Sequence, residues 1–151
     1  MAYVRGQIVI ERPVEEVFDF VADERNVYDP RIVSAEKLTD GPVGGGTRFR
    51  SETRGFGGRV VPMLVELRTY ERPRRLASTT RAAGIEIDSA LDFEPVPEGT
   101  SMRWVWEVRP QGALRLLRPL LGPIARRQAR TIWSSLKREL EEGREGRPPA
   151  A

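Results

Sequence analysis

The chain has 151 residues, of which 39% are hydrophobic and 31% are charged, and this composition predicts one soluble domain with a single core. It contains no cysteine and no histidine, which excludes disulfides, thiolate chemistry and histidine as a general base or metal ligand. The net charge is +3, but 22 acidic residues lie among the 25 basic ones, which argues against a continuous nucleic-acid-binding patch.

The first predicted elements are a strand and a short amphipathic helix. Loose alternation in "YVRGQIVIE" predicts a strand over residues 3–11. Pro13 can occupy the first helical position, because its missing N–H is not needed there. The helix ends near Asp23, and its buried face follows the i, i+3, i+4, i+7 pattern: Val14, Val17, Phe18 and Val21.

From Ile32 to Pro110 the chain predicts six consecutive strands. These are "IVSAEKLT", "GTRFRSETR", "RVVPMLVELRTYE", "RRLASTTR", "IEIDSALDFEP" and "TSMRWVWEVRP". Short turns rich in glycine, proline or charge separate them, which is typical of an antiparallel meander. A hairpin turn near Pro97 would place Asp92 opposite Arg103 and Glu86 opposite Arg109.

One turn, "GPVGGGTRFR", has three consecutive glycines that resemble a phosphate-binding loop. A phosphate loop needs a helix directly after its glycines, because the helix amides hold the anion. Here Gly44, Gly45 and Gly46 lead into a predicted strand. The residues therefore favour a glycine-rich turn between strands.

The last predicted element is helical and in two pieces. "QGALRLLRPLLG" forms a short piece that is interrupted at Gly122–Pro123, and a long helix then runs to about Glu142. Its predicted inner face contains Ile124, Gln128, Ile132, Ser135 and Leu136. The tail, 143–151, has the composition of a disordered end.

The order of these segments resembles the START-like, or pollen-allergen-like, helix-grip superfamily, and within it the SRPBCC group of polyketide cyclase/dehydrase and lipid transport proteins. The resemblance is carried by "IVIERPVEEVFDFVADERNVYDP", "LTDGPVGGGTRFR", "ELRTYERPRRLA", "LDFEPVPEGTSMRWVWEV" and "GALRLLRPLLGPIARRQARTIWSSLKRELEE". It implies an α+β fold over 1–142. A curved antiparallel sheet of about six to seven strands wraps around the long C-terminal helix, with short N-terminal helices after the first strand. A ligand cavity is implied between sheet and helix.

Alternation along the strands and the inner face of the C-terminal helix then give the side chains that face this cavity. The candidate ligand-binding residues are Phe49, Ser51, Met63, Val65, Leu67, Ile87, Ser89, Leu91, Trp104, Trp106, Ile124, Gln128 and Ile132. Thr53, Thr69 and Ser135 are placed on the same inner faces, and Tyr28 and Gly44–Gly46 are placed at the cavity rim. The same residues could instead fill a closed core, and the two tryptophans could either stack on a flat ligand or close the cavity.

The residues show no catalytic constellation, since no nucleophile and base stand at a recognisable spacing. Tyr28, Asp29 and Arg81 are the ionisable groups placed near the rim, and the strand phase at Arg81 is ambiguous. No metal site and no cofactor are expected.

Three functions follow from this sequence. The first is binding of a small hydrophobic ligand, a lipid, an isoprenoid or an aromatic polyketide-like molecule. The alternatives are a polyketide cyclase or dehydratase using carboxylate, tyrosine or arginine groups, and a structural or regulatory interaction module with a filled core. We expect a cytoplasmic monomer or homodimer that does not bind nucleic acid, since "MAYVRGQIVIERP" lacks signal-peptide features and no apolar run could cross a membrane. Arg118, Arg126 and Arg130 on the last helix suit transient contact with a membrane surface.

Overall fold

A seven-stranded antiparallel sheet and one long helix make up most of the protein. The computed structural model describes residues 2–55 and 58–143. In chain order the elements are β1 Ala2–Ile10, α1 Val14–Ala22, β2 Ile32–Lys37, β3 Arg48–Arg54, β4 Val60–Glu71, β5 Arg75–Ala82, β6 Ile85–Val96, β7 Gly99–Pro110 and α2 Arg118–Arg138. A 3₁₀ helix, Gly112–Leu117, precedes α2, and a π-helical turn, Glu139–Gly143, follows it.

The strand order across the sheet is β1-β7-β6-β5-β4-β3-β2. Strands β2 to β7 form the predicted meander, in which each strand pairs with the next one in the chain. The first strand joins this meander by pairing with β7, from Ala2 opposite Val108 to Ile10 opposite Thr100. The arrangement is the predicted helix-grip fold, because α1 and α2 both pack on one face of a single curved sheet.

The C-terminal helix differs from its prediction in where it begins. The expected interruption at Gly122–Pro123 is wrong, since α2 runs unbroken from Arg118 and contains Pro123. The change of helical type occurs earlier, where the 3₁₀ helix ends at Leu117. Pro123 lies in the exposed part of α2, so its ring displaces no buried side chain, although its missing N–H leaves out one backbone hydrogen bond.

The core lies between the sheet and the two helices. Phe18 of α1 makes edge-on contacts with the rings of Tyr70 and Phe93, each with a centroid separation of 5.2 Å. Gly6 of β1 stands opposite Trp104 of β7, and a Cβ at Gly6 would lie 2.6 Å from the indole ring. The glycine therefore leaves the space that the tryptophan fills.

A bulge in β4 corrects one part of the predicted inner face. The register shifts between Leu67 and Thr69. Thr69 then pairs with Ala77, on the outward phase of the sheet, and Tyr70 pairs with the buried Leu76. The expectation that Thr69 points inward is therefore wrong, because the extra residue reverses the alternation.

The outer face of the sheet carries paired charges. The predicted register is confirmed, with Asp92 opposite Arg103 and Glu86 opposite Arg109. Arg109 binds Glu86 at 2.6 Å, whereas Asp92 binds Arg75 of β5 at 2.8 Å. Arg81 also lies on this face, 3.5 Å from Glu86, which places it outside the cavity.

The predicted disordered tail, 143–151, lies outside the described residues except for Gly143. Within the described part of the chain, no helix has the length and apolar character needed to span a bilayer.

Candidate functional site

A cavity of about 150 Å³ lies between the sheet and α2. The helix contributes Gln128, Ile132 and Trp133. The sheet contributes Met63, Val65, Leu67, Leu76, Ser78, Thr80, Ile87, Ser89, Leu91 and Trp106. The end of α1 and the α1–β2 loop contribute Val21, Glu24, Asn26, Val27, Tyr28, Asp29, Arg31 and Ile32. The interior is therefore not completely filled by side chains.

The α1–β2 loop, residues 23–31, covers one side of this cavity and is held by its own polar contacts. Asp29 is buried, and its carboxylate accepts hydrogen bonds from the backbone N–H and the guanidinium of Arg31. The Asn26 amide donates to the carbonyl oxygen of Phe20 at 3.1 Å. The Ser135 hydroxyl donates to the carbonyl oxygen of Tyr28, which ties the loop to α2.

Three tryptophans and a tyrosine form one side of the cavity and the wall behind it. The Trp133 ring lies 6.0 Å from Trp106, 6.3 Å from Trp104 and 6.2 Å from Tyr28, measured between centroids. Trp106, Trp133 and Tyr28 line the cavity, while Trp104 packs behind them against Gly6. Rings at these separations form a rigid apolar surface.

The indole N–H of Trp133 is buried, and no group in the described part of the chain accepts a hydrogen bond from it. An unpaired buried donor destabilises a fold by about 1–3 kcal/mol, so native proteins rarely leave one without a partner. Because Trp133 lines the cavity, a rotation of its indole ring would bring this donor to an acceptor on a bound molecule.

Other polar side chains stand along the same cavity. Ser78 and Ser89 pair directly across β5 and β6, and both line it, as does Gln128 from α2. Within residues 2–55 and 58–143, none of these three side chains hydrogen-bonds to another protein group. Sparse polar groups on apolar walls are the usual means by which a pocket orients a small molecule.

Among the carboxyl groups that line the cavity, Glu24 has the largest shift in pKa. Burial, with the negative charges of Asp29 and Asp23, raises the pKa of Glu24 from 4.5 to about 7. Burial and the charges of Glu24 and Asp29 also raise the pKa of Tyr28 well above its ordinary value. Near neutral pH, Glu24 can therefore hold or release a proton, while the Tyr28 hydroxyl keeps its proton and remains a donor.

Most of the sequence-predicted ligand-binding residues come together around this cavity. Those that line it are Met63, Val65, Leu67, Ile87, Ser89, Leu91, Trp106, Gln128 and Ile132, together with the predicted rim residue Tyr28. Their contact with a ligand stays a prediction.

Four of the predicted residues are not in the lining. Phe49 and Ser51 are buried on β3, nearer the edge of the sheet, and Trp104 lies behind the other tryptophans. Ile124 is 39% exposed, because the buried face of α2 contains Ala125 and Ala129, and Ile124 lies about 100° around the helix from Ala125.

The glycine turn is also placed differently from its prediction as cavity rim. Gly44, Gly45 and Gly46 are not among the lining residues, and the turn is bonded to β4 instead. The N–H of Gly46 donates to the carbonyl oxygen of Leu67 at 2.8 Å, and Gly46 has a positive φ of 87°. The chain continues into β3 with no helix after the glycines, which agrees with a turn rather than a phosphate loop.

Sequence reasoning missed Trp133 and Glu24. A signal for Trp133 was present, since Ala125, Ala129 and Trp133 recur at intervals of four on the buried face of α2. Glu24 follows α1 in a charged stretch, and no pattern in the sequence distinguishes it from its exposed neighbour Arg25.

A second depression, about 410 Å³ in volume, lies on the opposite, convex face of the sheet and is open to solvent. Its charged residues are already engaged with one another. Arg109 contacts Asp88 and Glu86 at 2.6 Å each, and Thr79 donates to Asp88 at 2.8 Å. The smaller internal cavity, with unpaired polar groups, is therefore the better candidate for a ligand site.

Comparison with known proteins agrees with this architecture. The profile of the family described as polyketide cyclase/dehydrase and lipid transport matches residues 1–141. The chain belongs to this family. No curated protein sequence matches the chain.

Solved structures show how widely the fold of this polyketide cyclase/dehydrase and lipid transport family member is shared. A protein of unknown function from Staphylococcus aureus is 9% identical with a TM-score of 0.76, covering 95% of this chain and 96% of that one. A protein from Thermus thermophilus is 20% identical with a TM-score of 0.75, covering 91% and 96%. Ara h 8.0201 is 14% identical with a TM-score of 0.68, covering 89% and 94%. At these identities the likeness establishes the helix-grip fold alone.

Proposed function

We propose that this protein binds a small, mainly apolar organic molecule in the cavity between the sheet and α2. The observation that carries the proposal is a cavity in which the side chains of Ser78, Ser89 and Gln128 have no hydrogen-bond partner among the described residues. The buried N–H of Trp133, which also lines the cavity, has no acceptor among them either. Membership of a family that includes lipid transport proteins supports it.

The size of the cavity favours one class of ligand. Its volume of about 150 Å³ is comparable to engineered cavities of roughly 150 Å³ that bind benzene, and is below the roughly 300–1,000 Å³ of pockets for drug-sized molecules. A molecule of one or two rings, with an oxygen that accepts a hydrogen bond from Trp133, suits this space and the aromatic wall. A long fatty acyl or isoprenoid chain would require the α1–β2 loop to move.

The first experiment is native mass spectrometry of freshly purified protein, followed by denaturing extraction of any bound molecule. A reproducible aromatic compound supports the proposal and names the ligand class. Titrations that follow tryptophan fluorescence then compare 1-naphthol with palmitate, since Trp106 and Trp133 line the cavity. Tighter binding of palmitate would contradict the aromatic ligand.

A pair of variants locates the binding. Ser89→Leu adds bulk to the cavity wall, and Ala90→Leu adds similar bulk to the opposite, outward face of the same strand. We expect Ser89→Leu to weaken 1-naphthol binding at least about tenfold, because the leucine occupies the ligand volume, and Ala90→Leu to leave it unchanged. Equal affinity in both variants would place the ligand elsewhere.

A second candidate function is favoured by Glu24. A carboxyl that titrates near neutral pH, beside a phenol that stays protonated, is suited to moving a proton on a ligand. In a cyclase or dehydratase of the family's type, the Glu24 carboxylate would remove a proton from the carbon next to a ketone. The Tyr28 hydroxyl would donate a hydrogen bond to the resulting enolate oxygen.

This candidate is tested without a natural substrate. Exchange of the α-protons of 1-phenyl-1,3-butanedione in D₂O can be followed by NMR with the wild type and with Glu24→Gln. Enhanced exchange in the wild type that Glu24→Gln abolishes, with unchanged 1-naphthol binding, would support an enzyme. Equal exchange in both proteins would leave ligand binding as the function.

A further inference from the structure

The beginning of α2 and the 3₁₀ helix before it expose four large apolar side chains to solvent. Leu116 is 85% exposed, Leu120 56%, Leu117 44% and Ile124 39%. Single exposed leucines are common, but a contiguous group on one element is typical of a surface that contacts something else. Leu120 and Ile124 are four residues apart on α2 and form a stripe on one face of it, and Leu116 and Leu117 directly precede α2 at the end of the 3₁₀ helix.

Five arginines lie on the same segment of chain as this stripe: Arg115, Arg118, Arg126, Arg127 and Arg130, all of them exposed. Among the described residues, none of the five forms an ion pair with a carboxylate. On the sheet, by contrast, arginines such as Arg75 and Arg109 are paired. No aspartate or glutamate occurs between residues 108 and 138, so this segment itself carries only positive charges.

The apolar stripe continues into the cavity wall. The same row of four-residue steps that contains Leu120 and Ile124 continues to Gln128 and Ile132, which line the cavity. Because an α-helix turns slightly more than once in four residues, the row rotates from the solvent side toward the sheet. The exposed leucines and the cavity therefore lie at successive positions along one helix.

We propose that this surface, residues 115–130, docks on an anionic lipid bilayer. Apolar side chains framed by arginines match the acyl boundary and the negative headgroups of such a bilayer together. A nucleic acid would pair with the arginines and leave the leucines in water. A second copy of the chain would bring together two segments that each carry only positive charges. Gln128 is the one residue of this segment that lines the cavity, and the exposed leucines and arginines do not line it. The docking proposal can therefore be tested independently of the ligand proposed above.

The test is co-sedimentation of the whole protein with vesicles of two compositions. One is pure phosphatidylcholine, and the other is an equimolar mixture of phosphatidylcholine and phosphatidylglycerol. We expect binding to the mixed vesicles to exceed binding to the neutral ones by at least about tenfold, since each arginine near an anionic surface contributes roughly fivefold. Raising the salt from about 0.1 M to about 0.5 M should remove most of this difference.

Two variants separate the apolar and the charged contributions. Leu116→Ser/Leu120→Ser should weaken binding to the mixed vesicles about tenfold. Leu38→Ser/Leu64→Ser serves as its control, because both of these leucines are 48% exposed outside residues 115–130. The charged variant, Arg126→Glu/Arg127→Glu/Arg130→Glu, should abolish binding. Its control, Arg5→Glu/Arg50→Glu/Arg74→Glu, makes the same change in net charge at exposed arginines that form no ion pair in the described chain and should bind like the wild type.

Three results would overturn the proposal. The first is equal binding to both vesicle compositions, and the second is equal loss in each variant and its control. The third is a failure to bind vesicles together with one of two other interactions. These are salt-sensitive binding to a DNA duplex, and dimerisation, measured by light scattering, that the leucine variant abolishes. Circular dichroism of every variant establishes that a loss of binding does not come from unfolding.

Discussion

Replacing Glu24 by glutamine should change how the stability of the protein depends on pH. Glutamine has nearly the shape of a protonated glutamate but cannot ionise. Glu24 lines the cavity, and its pKa is raised from 4.5 to about 7, chiefly by burial. Folding therefore stabilises the protonated form of this group relative to the unfolded chain.

The sign of the effect follows from which state holds the proton. Below about pH 4.5 both the folded and the unfolded chain keep the Glu24 carboxyl protonated, and its contribution to stability is fully present. Between about pH 4.5 and about pH 7 the unfolded chain loses this proton and the folded chain retains it, so stability falls as the pH rises. Above about pH 7 the loss is complete.

The magnitude has an upper bound from the two pKa values. A rise from 4.5 to about 7 corresponds to about 3 kcal/mol in the free energy of unfolding. The Glu24 side chain is only half-buried, and water at the cavity opening relieves part of this penalty. We expect wild type to lose about 1–3 kcal/mol between about pH 4 and about pH 8 through this group, and Glu24→Gln to avoid that loss.

Urea unfolding of both proteins at about pH 4 and about pH 8 measures this difference directly. The chain has no histidine, so few other groups titrate in the upper half of this range. Glu98→Gln, in the exposed β6–β7 turn, is the control and should change stability by less than about 0.5 kcal/mol at either pH. The reasoning is refuted if Glu24→Gln shifts the free energy of unfolding equally at both pH values.

Three further outcomes follow from other contacts. Gly99→Ala should lower the free energy of unfolding by at least about 2 kcal/mol in urea titrations, because Gly99 has a φ of 143° and a Cβ would lie 2.3 Å from a carbonyl oxygen of β1. Gly44→Ala, with nothing within 4 Å, is its control, and equal effects would contradict the reasoning. Ser51→Ala should leave stability unchanged or raise it by about 1 kcal/mol, since its buried hydroxyl has no partner among the described groups; a loss above about 1 kcal/mol would show a missed hydrogen bond. Arg109→Met should raise the pKa of Glu86, which the hydrogen bond from Arg109 holds low, and an unchanged NMR titration would argue against this bond.

Strand alternation predicted most of the inner wall because each side chain on a regular strand has only two directions. Ser89 and Trp106 were placed correctly on this basis, since β6 and β7 pair without a register shift. Alternation cannot reveal a bulge, which depends on how two strands fit together, and Thr69 was therefore assigned to the wrong face.

The helix was harder to predict from its sequence. Pro123 was interpreted as a helix start, and Ile124 was placed on the inner face, although it lies about 100° around the helix from the buried Ala125. Two alanines, Ala125 and Ala129, mark the true buried face, but alanine favours any helical position and so gives a weak signal. The raised pKa of Glu24 depends on its burial in the folded α1–β2 loop, and no local sequence pattern indicates that burial.

The strand order has a consequence for how the chain is made. The β1 strand is synthesised first, but its partner β7 follows about a hundred residues later, from Ala2 opposite Val108 to Ile10 opposite Thr100. The Lys137 ammonium of α2 donates to the carbonyl oxygen of Val9 in β1, and the Arg12 guanidinium, just after β1, donates to the carbonyl oxygen of Leu140 in the π-helical turn. A nascent chain can form the β2–β7 hairpins in turn on the ribosome, while β1 waits unpaired until translation is nearly complete. Such distant pairings give a high contact order and slow folding. Because the N-terminal strand stays unpaired longest, it is the segment to which a chaperone would bind during synthesis.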